Sequence, residues 1–593
     1  VRHGSAHSVP LLIGAPVFAL DISNTARESR MAVTQCVQDL EWTKQARKLD
    51  PNADLVWIDR ALPVRKFYLQ RLGANRRTYQ RANRFFGMDS IVTKCALAQA
   101  LEALESLQQS CCEITTDTRT ENVQKKEEKV DRDVENDCSS SLETTSKATT
   151  LCMPRSWCFP RDCIIFEGED PATLNQSSSM PSCWYIAKPD RGRCGRGIAL
   201  FPSRNQVLSA FRAGELSEEN SNTSSASKKT TDNHNSPSPP AVVVQEYIPD
   251  PLLFRETGCK FDLRVYVLIK SLTPLKLLIF DEGLVRVAST TYQAPTPSNC
   301  QTATMHLTNS HINSKVTGIS QQDLRTTAAA AAAAAVTMQM TEMVVENIPV
   351  ELKHCITTTL QWISKQHNVP AEEIWGRVCQ SVATAIVAVY PSAALAHSTC
   401  FAPNREEHAN RCFQLLGVDV LLDSALRPWV LEINNSPSLN LSTSADEAIK
   451  VPLIKSLLVE VFEHNNTATV SSDQTTITTT AKWGEQGYVP NFQHFDVTKV
   501  KCNSGKECAV EVQTKILDVY RRLCGWKASS CRPVKSMMPS KEMWLKVTKK
   551  NLTLPPLKDL SLHSFIQWIA KQSSASSSSS MSNVIKMLNE ALV

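Results

Sequence analysis

The sequence predicts an α+β protein, and three observations predict it. Residues 416–423 and 428–437 each alternate apolar and polar side chains in the period of a strand, and Ser424-Ala425-Leu426-Arg427 between them has the length of a hairpin loop. Residues 258–269 alternate in the same way, with Lys260, Asp262 and Arg264 on one face and Phe261, Leu263 and Val265 on the other. Residues 516–523 and 543–547 instead carry apolar residues at helical spacing, with cationic side chains opposite them.

In the hairpin, pairing of Asp423 with Pro428 places Asp419 directly opposite Glu432, with side chains about 5 Å apart on one face. Asn434 follows Glu432 by two residues and shares that face. Two carboxylates side by side repel unless protonated or bridged, and hard oxygen ligands on rigid strands suit Mg²⁺ beside substrate phosphates. The plainer alternative is a solvated polar face on an edge hairpin. The row Lys260, Asp262, Arg264 has two corresponding readings: an exposed ladder of ion pairs, contributing about 0–1 kcal/mol each, or groups reaching nucleotide phosphates and metal. Two cations flanking one anion on so apolar a strand favour the second.

Upstream, Lys188-Pro189 ends a short strand and is followed by Asp190 and by Arg191-Gly192-Arg193-Cys194-Gly195-Arg196-Gly197-Ile198. The three glycines let backbone N–H groups fold over an anion, and the arginines and Lys188 supply countercharge. This is neither the dinucleotide fingerprint nor the P-loop, because no Gly-Lys-Ser/Thr opens a helix. Val242-Val243-Val244 leads through Gln245-Glu246-Tyr247-Ile248 into a proline-bearing turn, a buried strand end able to hold a purine by its backbone.

Composition fits a soluble chain of two or three domains: 593 residues, 42% apolar. The chain opens on Val1, so residues ahead of it are expected. Residues 9–22 are too short and proline-interrupted to cross a membrane, and no other segment is expected to reach the length required. The twenty cysteines include no Cys-x-x-Cys, which suits thiols in a reducing cytosol. Residues 106–150 and 216–240 are polar tracts read as disordered insertions. The alanine run within 326–335 suits either a helix or a spacer, and 465–481 and 573–582 read as polar linkers. Within 499–558 fourteen Lys/Arg face four Asp/Glu, a basic tail on a slightly acidic body. An acidic protein surface, RNA and anionic membrane are its candidate partners.

Six motifs in one order carry a resemblance. Lys188-Pro189 with its glycine loop, Gln245-Glu246-Tyr247-Ile248, residues 260–264, Glu282-Gly283-Leu284-Val285-Arg286, His306-Leu307-Thr308-Asn309, and Asp419 with residues 432–438 resemble the tubulin tyrosine ligase-like family, over roughly 18–95 and 151–460. The resemblance implies an ATP-grasp core, two α+β lobes closing on ATP and Mg²⁺. It implies an N-terminal lobe over 1–105 and central and C-terminal lobes over 151–460, with insertions at 216–240 and about 316–345. A linker over 461–498, a basic helical microtubule-binding region over 499–572 and a Ser-rich stretch with a terminal helix over 573–593 would follow.

By the same resemblance Lys188 holds ATP phosphates, the loop from Arg191 to Ile198 covers them, and Gln245, Glu246, Tyr247 and Ile248 frame the adenine. Lys260 and Asp262 reach the nucleotide, Thr308 and Asn309 line its site, and Lys94 is the N-terminal ATP lysine. Arg264 supports the phosphate or acceptor side and Arg286 meets the carboxylate of the incoming amino acid. Asp419, Glu432 and Asn434 hold magnesium, with Arg264 and Glu432 as the catalytic pair.

The implied reaction is isopeptide formation through an acyl phosphate, adding free L-glutamate to glutamate side chains in the acidic tails of tubulin. Glutamate-adding members of the family carry Asn-Tyr-Ser-Ile-Asn-Lys where this chain has Asn309-Ser310-His311-Ile312-Asn313-Ser314-Lys315. The Tyr and Lys of that pattern are absent, with Lys315 one position late, leaving Ser310, Lys315, Arg286 and Lys450 to meet the substrate's two carboxylates. The alternatives are a glycylase or tyrosine ligase of the same family, a non-catalytic microtubule-binding protein, and an ATP-grasp ligase of small molecules. A monomer in the cytoplasm, on microtubules or at the cilium and basal body, with no nucleic-acid or membrane partner, completes the expectation.

Overall fold

Three large sheets and a two-stranded ribbon, Lys501–Cys502 with Glu507–Cys508, are formed by the described residues. The computed structural model describes residues 17–20, 27–45, 53–58, 81–109, 152–168, 183–192, 194–216, 241–255, 257–313, 352–401, 411–462, 483, 485, 488–502, 507–523, 562–574 and 585–586. Outside them lie Arg193, Lys315, the insertion tracts from 110, the alanine run, the linkers at 465–481 and 575–582, and the helix expected over 543–547.

The N-terminal sheet is parallel, in the order β2-β1-β3-β4, from β1 (Val17–Leu20), β2 (Thr43–Gln45), β3 (Leu55–Trp57) and β4 (Arg81–Ala82). The second sheet is antiparallel, in the order β5-β8-β6-β7, from β5 (Ser156–Phe159), β6 (Tyr185–Pro189), β7 (Ala199–Phe201) and β8 (Val242–Glu246). The central sheet runs β12-β11-β10-β13-β14 in antiparallel order. Its strands are β9 (Leu253–Phe254), β10 (Cys259–Leu272), β11 (Leu275–Thr291), β12 (Lys353–Cys355), β13 (Gln414–Leu422), β14 (Pro428–Asn434) and β15 (Phe492–Phe495), with β9 on β10 and β15 on β11.

Strand alternation sorts the central sheet's two faces. Leu263, Val265, Val267, Val285, Val418 and Val420 face the larger core, where α4 (Ile356–His367) and α5 (Ala371–Ser398) lie. On the other face Tyr266, Leu268, Leu278 and Leu415, with Phe413 just ahead of β13, pack with α1 (Arg27–Asp39) and α6 (Ser444–Phe462). Farther along that same face the apolar residues give way to Lys260, Asp262, Arg264, Arg286 and Asp419.

The hairpin differs from its expected register. Leu422, not Asp423, pairs with Pro428, so five residues form the loop, and a bulge between Asp419 and Val420 absorbs the extra residue of β14 at Leu431. Asp419 therefore stands opposite Glu432 by two compensating offsets. The loop is five residues because Asp423 is used elsewhere: its carboxylate accepts from the amides of Ala425 and Arg427 and from Trp429 Nε1.

Three further expectations are corrected. Helix α2 (Lys94–Gln109) runs through residue 105 into the stretch read as insertion, because Leu104 and Leu107 continue its buried face. Helix α5, 28 residues, is long and apolar enough to cross a membrane, contrary to the expectation that no further segment would be; 67% of its apolar window is buried within the protein, where it packs on the sheet and neighbouring helices. The stretch 461–498 is not only linker, since β15 extends the central sheet. Helix α7 (Ala509–Leu523) buries Ile516, Leu517, Val519 and Tyr520, and Arg521, expected on a cationic face, donates to Ala394 O at 3.2 Å. Helix α8 (Leu562–Ser574) lies along α2. No disulfide links the described cysteines.

Asp281 ties the incoming β15 segment to β11. Its buried carboxylate accepts from Asn491 N at 2.8 Å, from Gln493 Nε2 at 3.1 Å and from the Tyr488 hydroxyl, and its carbonyl accepts from Trp483 Nε1 at 2.8 Å. Asp281→Ala leaves three donors without their acceptor, and urea unfolding is expected to show a loss of about 3 kcal/mol. A variant within about 0.5 kcal/mol of the parent would refute this anchoring role.

Candidate active site

A cleft of about 680 Å³, open to solvent, forms between the central and second sheets. Its floor comes from the charged end of the central sheet: Lys260 and Asp262 of β10, Arg286 of β11, Asp419 and Leu421 of β13, and Leu431 and Glu432 of β14. The facing wall is Ile186 and Lys188 of β6, Gln245 and Glu246 of β8, then Tyr247 and Ile248. His306, Leu307, Thr308, Asn309, Ile198 and Pro154 complete it.

Asp419 is the most constrained group on the floor. Arg264, opposite it across β10 and β13, donates from Nε at 2.5 Å and from a terminal nitrogen at 3.0 Å, and Arg286 reaches it at 2.7 Å. Burial alone would raise this carboxyl, but the two arginines hold it well below the usual carboxylate range. Arg286 also forks onto Asp262, its cross-strand partner, and Thr308 donates to the same carboxylate at 2.6 Å. Asp262 and Arg264 of the β10 row thus join Arg286 and Asp419 in an array of ion pairs, buried where the ladder alternative had it exposed. Gly417 makes room for it: a Cβ there would lie 2.9 Å from Arg264 Cδ and 3.0 Å from Pro437 Cβ.

Glu432 and Asn434 complete the carboxylate corner. Asn434 Nδ2 lies 3.3 Å from Glu432 and 3.5 Å from Asp419, and Lys94 Nζ lies 3.4 Å from Glu432. Asn434 thus turns its amide nitrogen to both carboxylates; with that amide reversed, its oxygen would join them in a donor set a hard divalent cation accepts. With Asp419 already accepting from two arginines, Glu432 is the corner's more available ligand.

The wall lysine Lys188 and the floor lysine Lys260 are both softened by burial. Lys188 is lowered to about 8, first by burial and further by Lys94, and donates to Gln245 Oε1 at 2.6 Å. Lys260 is lowered to about 7 by burial and by Lys188, and donates to Tyr247 Oη at 2.9 Å with its ammonium 4.2 Å from the ring centroid. Tyr247 Oη also lies 3.0 Å from His306 Nδ1, and His306 is lowered to about 4 by burial and by Lys260.

The glycine loop reaches the cleft from above. Lys94 donates to Gly192 O at 3.0 Å, Gly195 adopts φ +75°, and a Cβ there would sit 2.4 Å from Ile312 Cδ1 and 3.0 Å from Asn309 Oδ1. Arg191, Cys194 and Arg196 are exposed, and Gly197 also has positive φ. Ser310 follows Asn309 at the loop's edge.

Two expected substrate contacts are placed differently. Lys450 is not among the residues lining the cleft; it is buried 2.7 Å from Asp446 Oδ1 and donates to Asn440 O at 2.7 Å, because Asp446 stands one helical turn before it. Arg286 lines the cleft but is already engaged by Asp262 and Asp419. Conversely, His306, Leu307, Ile186, Pro154, Leu421 and Leu431 line the cleft without having been assigned a role. His306 and Leu307 stand inside a motif the sequence displays, whereas the others become neighbours only through sheet packing.

A model of the tubulin-tyrosine ligase family matches residues 94–368 and 350–470, more than half the chain. The chain belongs to the tubulin-tyrosine ligase family. It is 27% identical over 442 residues to human tubulin polyglutamylase TTLL13, covering 74% of this chain and 40% of that protein. It is 29% identical over 306 residues to the Danio rerio tubulin polyglutamylase ttll6, covering 52% and 31%, and 25% identical over 401 residues to human tubulin polyglutamylase TTLL7, covering 68% and 34%. The chain thus spans less than half the length of these relatives. Membership in the tubulin-tyrosine ligase family implies an ATP-grasp-like fold. The N-terminal sheet, expected within the resemblance from residue 18, precedes the matched segment.

With Lys260 at about 7 and Lys188 at about 8, both lysines are partly neutral just above pH 7. A polyanion arriving beside them favours their charged forms, raises both values and draws in protons. Affinity for ATP is therefore expected to fall as pH rises from 7 to 9, by up to about tenfold per pH unit for each proton taken up. Calorimetric titration in buffers of differing ionisation enthalpy reads that uptake directly; affinity independent of pH, with no uptake, would contradict it.

Proposed function

We propose that this chain is an ATP-dependent ligase that joins free L-glutamate to glutamate side chains of tubulin tails, in the cytoplasm and on microtubules. The observation that carries the reading is the convergence of Lys188, Lys260, Asp262, Thr308, Asn309, Asp419 and Glu432 on one cleft, in a tubulin-tyrosine ligase family member whose relatives include tubulin polyglutamylases. The apolar side chains Ile186, Ile198 and Leu307 suit a purine, and the basic groups suit its phosphates.

The acceptor carboxylate attacks the γ-phosphorus of ATP, forming an acyl phosphate and releasing ADP. The amine of glutamate then attacks the acyl carbon and expels inorganic phosphate, losing a proton. Lys188 and Lys260 hold the phosphates and offset charge building on the transferred group. The loop from Arg191 to Ile198 covers them and excludes water that would hydrolyse the intermediate. Asp419, Glu432 and Asn434 would hold Mg²⁺, which supplies Lewis-acid neutralisation of phosphate charge when bound. Arg264 keeps Asp419 ionised and oriented, and Arg286, engaged by Asp262 and Asp419, holds the floor's register.

Incubation of the intact chain with taxol-stabilised microtubules, ATP and each radiolabelled amino acid in turn tests the reading. Label from glutamate is expected, with loss of at least about a hundredfold in Glu432→Gln at unchanged melting temperature. Label from glycine or tyrosine instead would reassign the donor, and microtubule binding without label would favour a non-catalytic role.

A further inference from the structure

We infer that the two C-terminal helices, α7 and α8, act through α2 to position Lys94 at the nucleotide end of the cleft. The inference rests on the ATP-binding reading given above. Helix α2 is a rod with the phosphate cover at one end and the C-terminal pair along its side. At its N-terminus Lys94 bridges Gly192 O at 3.0 Å and Glu432 at 3.4 Å, and the amide of Cys95 donates to Asp190 Oδ1 at 2.8 Å. The first turn of α2 therefore holds the start of the glycine loop by a side chain and by a backbone amide that no helical carbonyl can satisfy.

Along its length α2 buries one broad face, Leu97, Leu101, Leu104 and Leu107 being within 3% of complete burial, while Glu102 on the opposite side is exposed. Its most extensive helix partner among the described residues is α8, which contributes the fully buried Phe565 and Ile569. Helix α7 backs α8, with the Tyr520 ring 5.5 Å from Phe565, and is fixed to α5 by Thr514 at 3.2 Å from Tyr390 Oη. Gln108, at the far end of α2, donates to Lys501 O at 3.0 Å. Both C-terminal helices lie beyond residue 470, where the family match ends.

A rod packed along this face by α8 and α5 is fixed in its axial position, and Lys94 reaches both of its partners from there. Loosening α8 exposes one side of α2 and lets it shift or rotate, and displacement of about 1 Å at its first turn is enough to disrupt contacts of this kind. Removal of the C-terminal region would on this account impair nucleotide binding as well as any docking on tubulin.

The test is a mutant cycle in the intact chain, with the dissociation constant for Mg·ATP as readout. If Phe565→Ala leaves a tenth of the molecules with Lys94 in place, the apparent constant rises about tenfold. Phe565→Leu is expected to restore the parent value, and Phe565→Ala combined with Lys94→Ala to bind no more weakly than Lys94→Ala alone. Additive losses would show that α8 acts on general stability and would overturn the inference. So would parent-like binding by Phe565→Ala while hydrogen exchange shows α8 loosened. Should Phe565→Ala fail to fold, Leu562→Ala at the start of the helix is judged by the same cycle. Failure of the parent to bind Mg·ATP would instead remove the nucleotide reading itself, and with it this inference.

Discussion

The fold and the cleft depend on one buried charge array, in which Arg264 and Arg286 clamp Asp419 while Arg286 forks onto Asp262. Each ion loses several kcal/mol of hydration on burial, and only close, multiply hydrogen-bonded partners offset that. The array therefore demands a fixed register among β10, β11 and β13, and any slip by one residue would leave bare charge inside the sheet. Gly417 and the bulge at Leu431 are the local accommodations: one clears space for the Arg264 stem, the other keeps Glu432 opposite Asp419.

From that floor the remaining properties of the site follow. Thr308 is drawn to Asp262 and brings Asn309 against the glycine loop. Lys188 and Lys260, buried beside the array without being neutralised by it, are held with lowered proton affinity and are ready to gain charge from a phosphate. Lys94 links the carboxylate corner to the loop above. In this family member the cleft thus sets two buried lysines, one on each sheet, and an acidic corner beside an array whose own charges are internally balanced.

Much of this was legible in the sequence, and the gaps have physical causes. Alternation exposed the hairpin and the charged row because strand period is local. The bulge leaves a break in the alternation at Trp429-Val430-Leu431, but a short apolar run equally suits a strand buried on both faces and so does not mark it. Lys450 was misread as facing substrate although Asp446, four residues earlier, is its natural helical partner. The 28 residues of α5 resemble a membrane span because a helix buried on all sides and one in lipid share an apolar surface. The C-terminal helices were read by net charge, whereas their apolar faces decide where they pack. Cleft walls such as Ile186 and Pro154 depend on two sheets meeting and have no local signature.

The central claim, that paired buried charges rather than apolar packing alone hold the cleft's floor, is tested most directly by equilibrium urea unfolding of the intact chain and of Arg264→Met at pH 7. Methionine keeps most of the arginine stem's volume but leaves Asp419 with a single cationic partner. A loss of about 3–5 kcal/mol is expected. A variant as stable as the parent would contradict it.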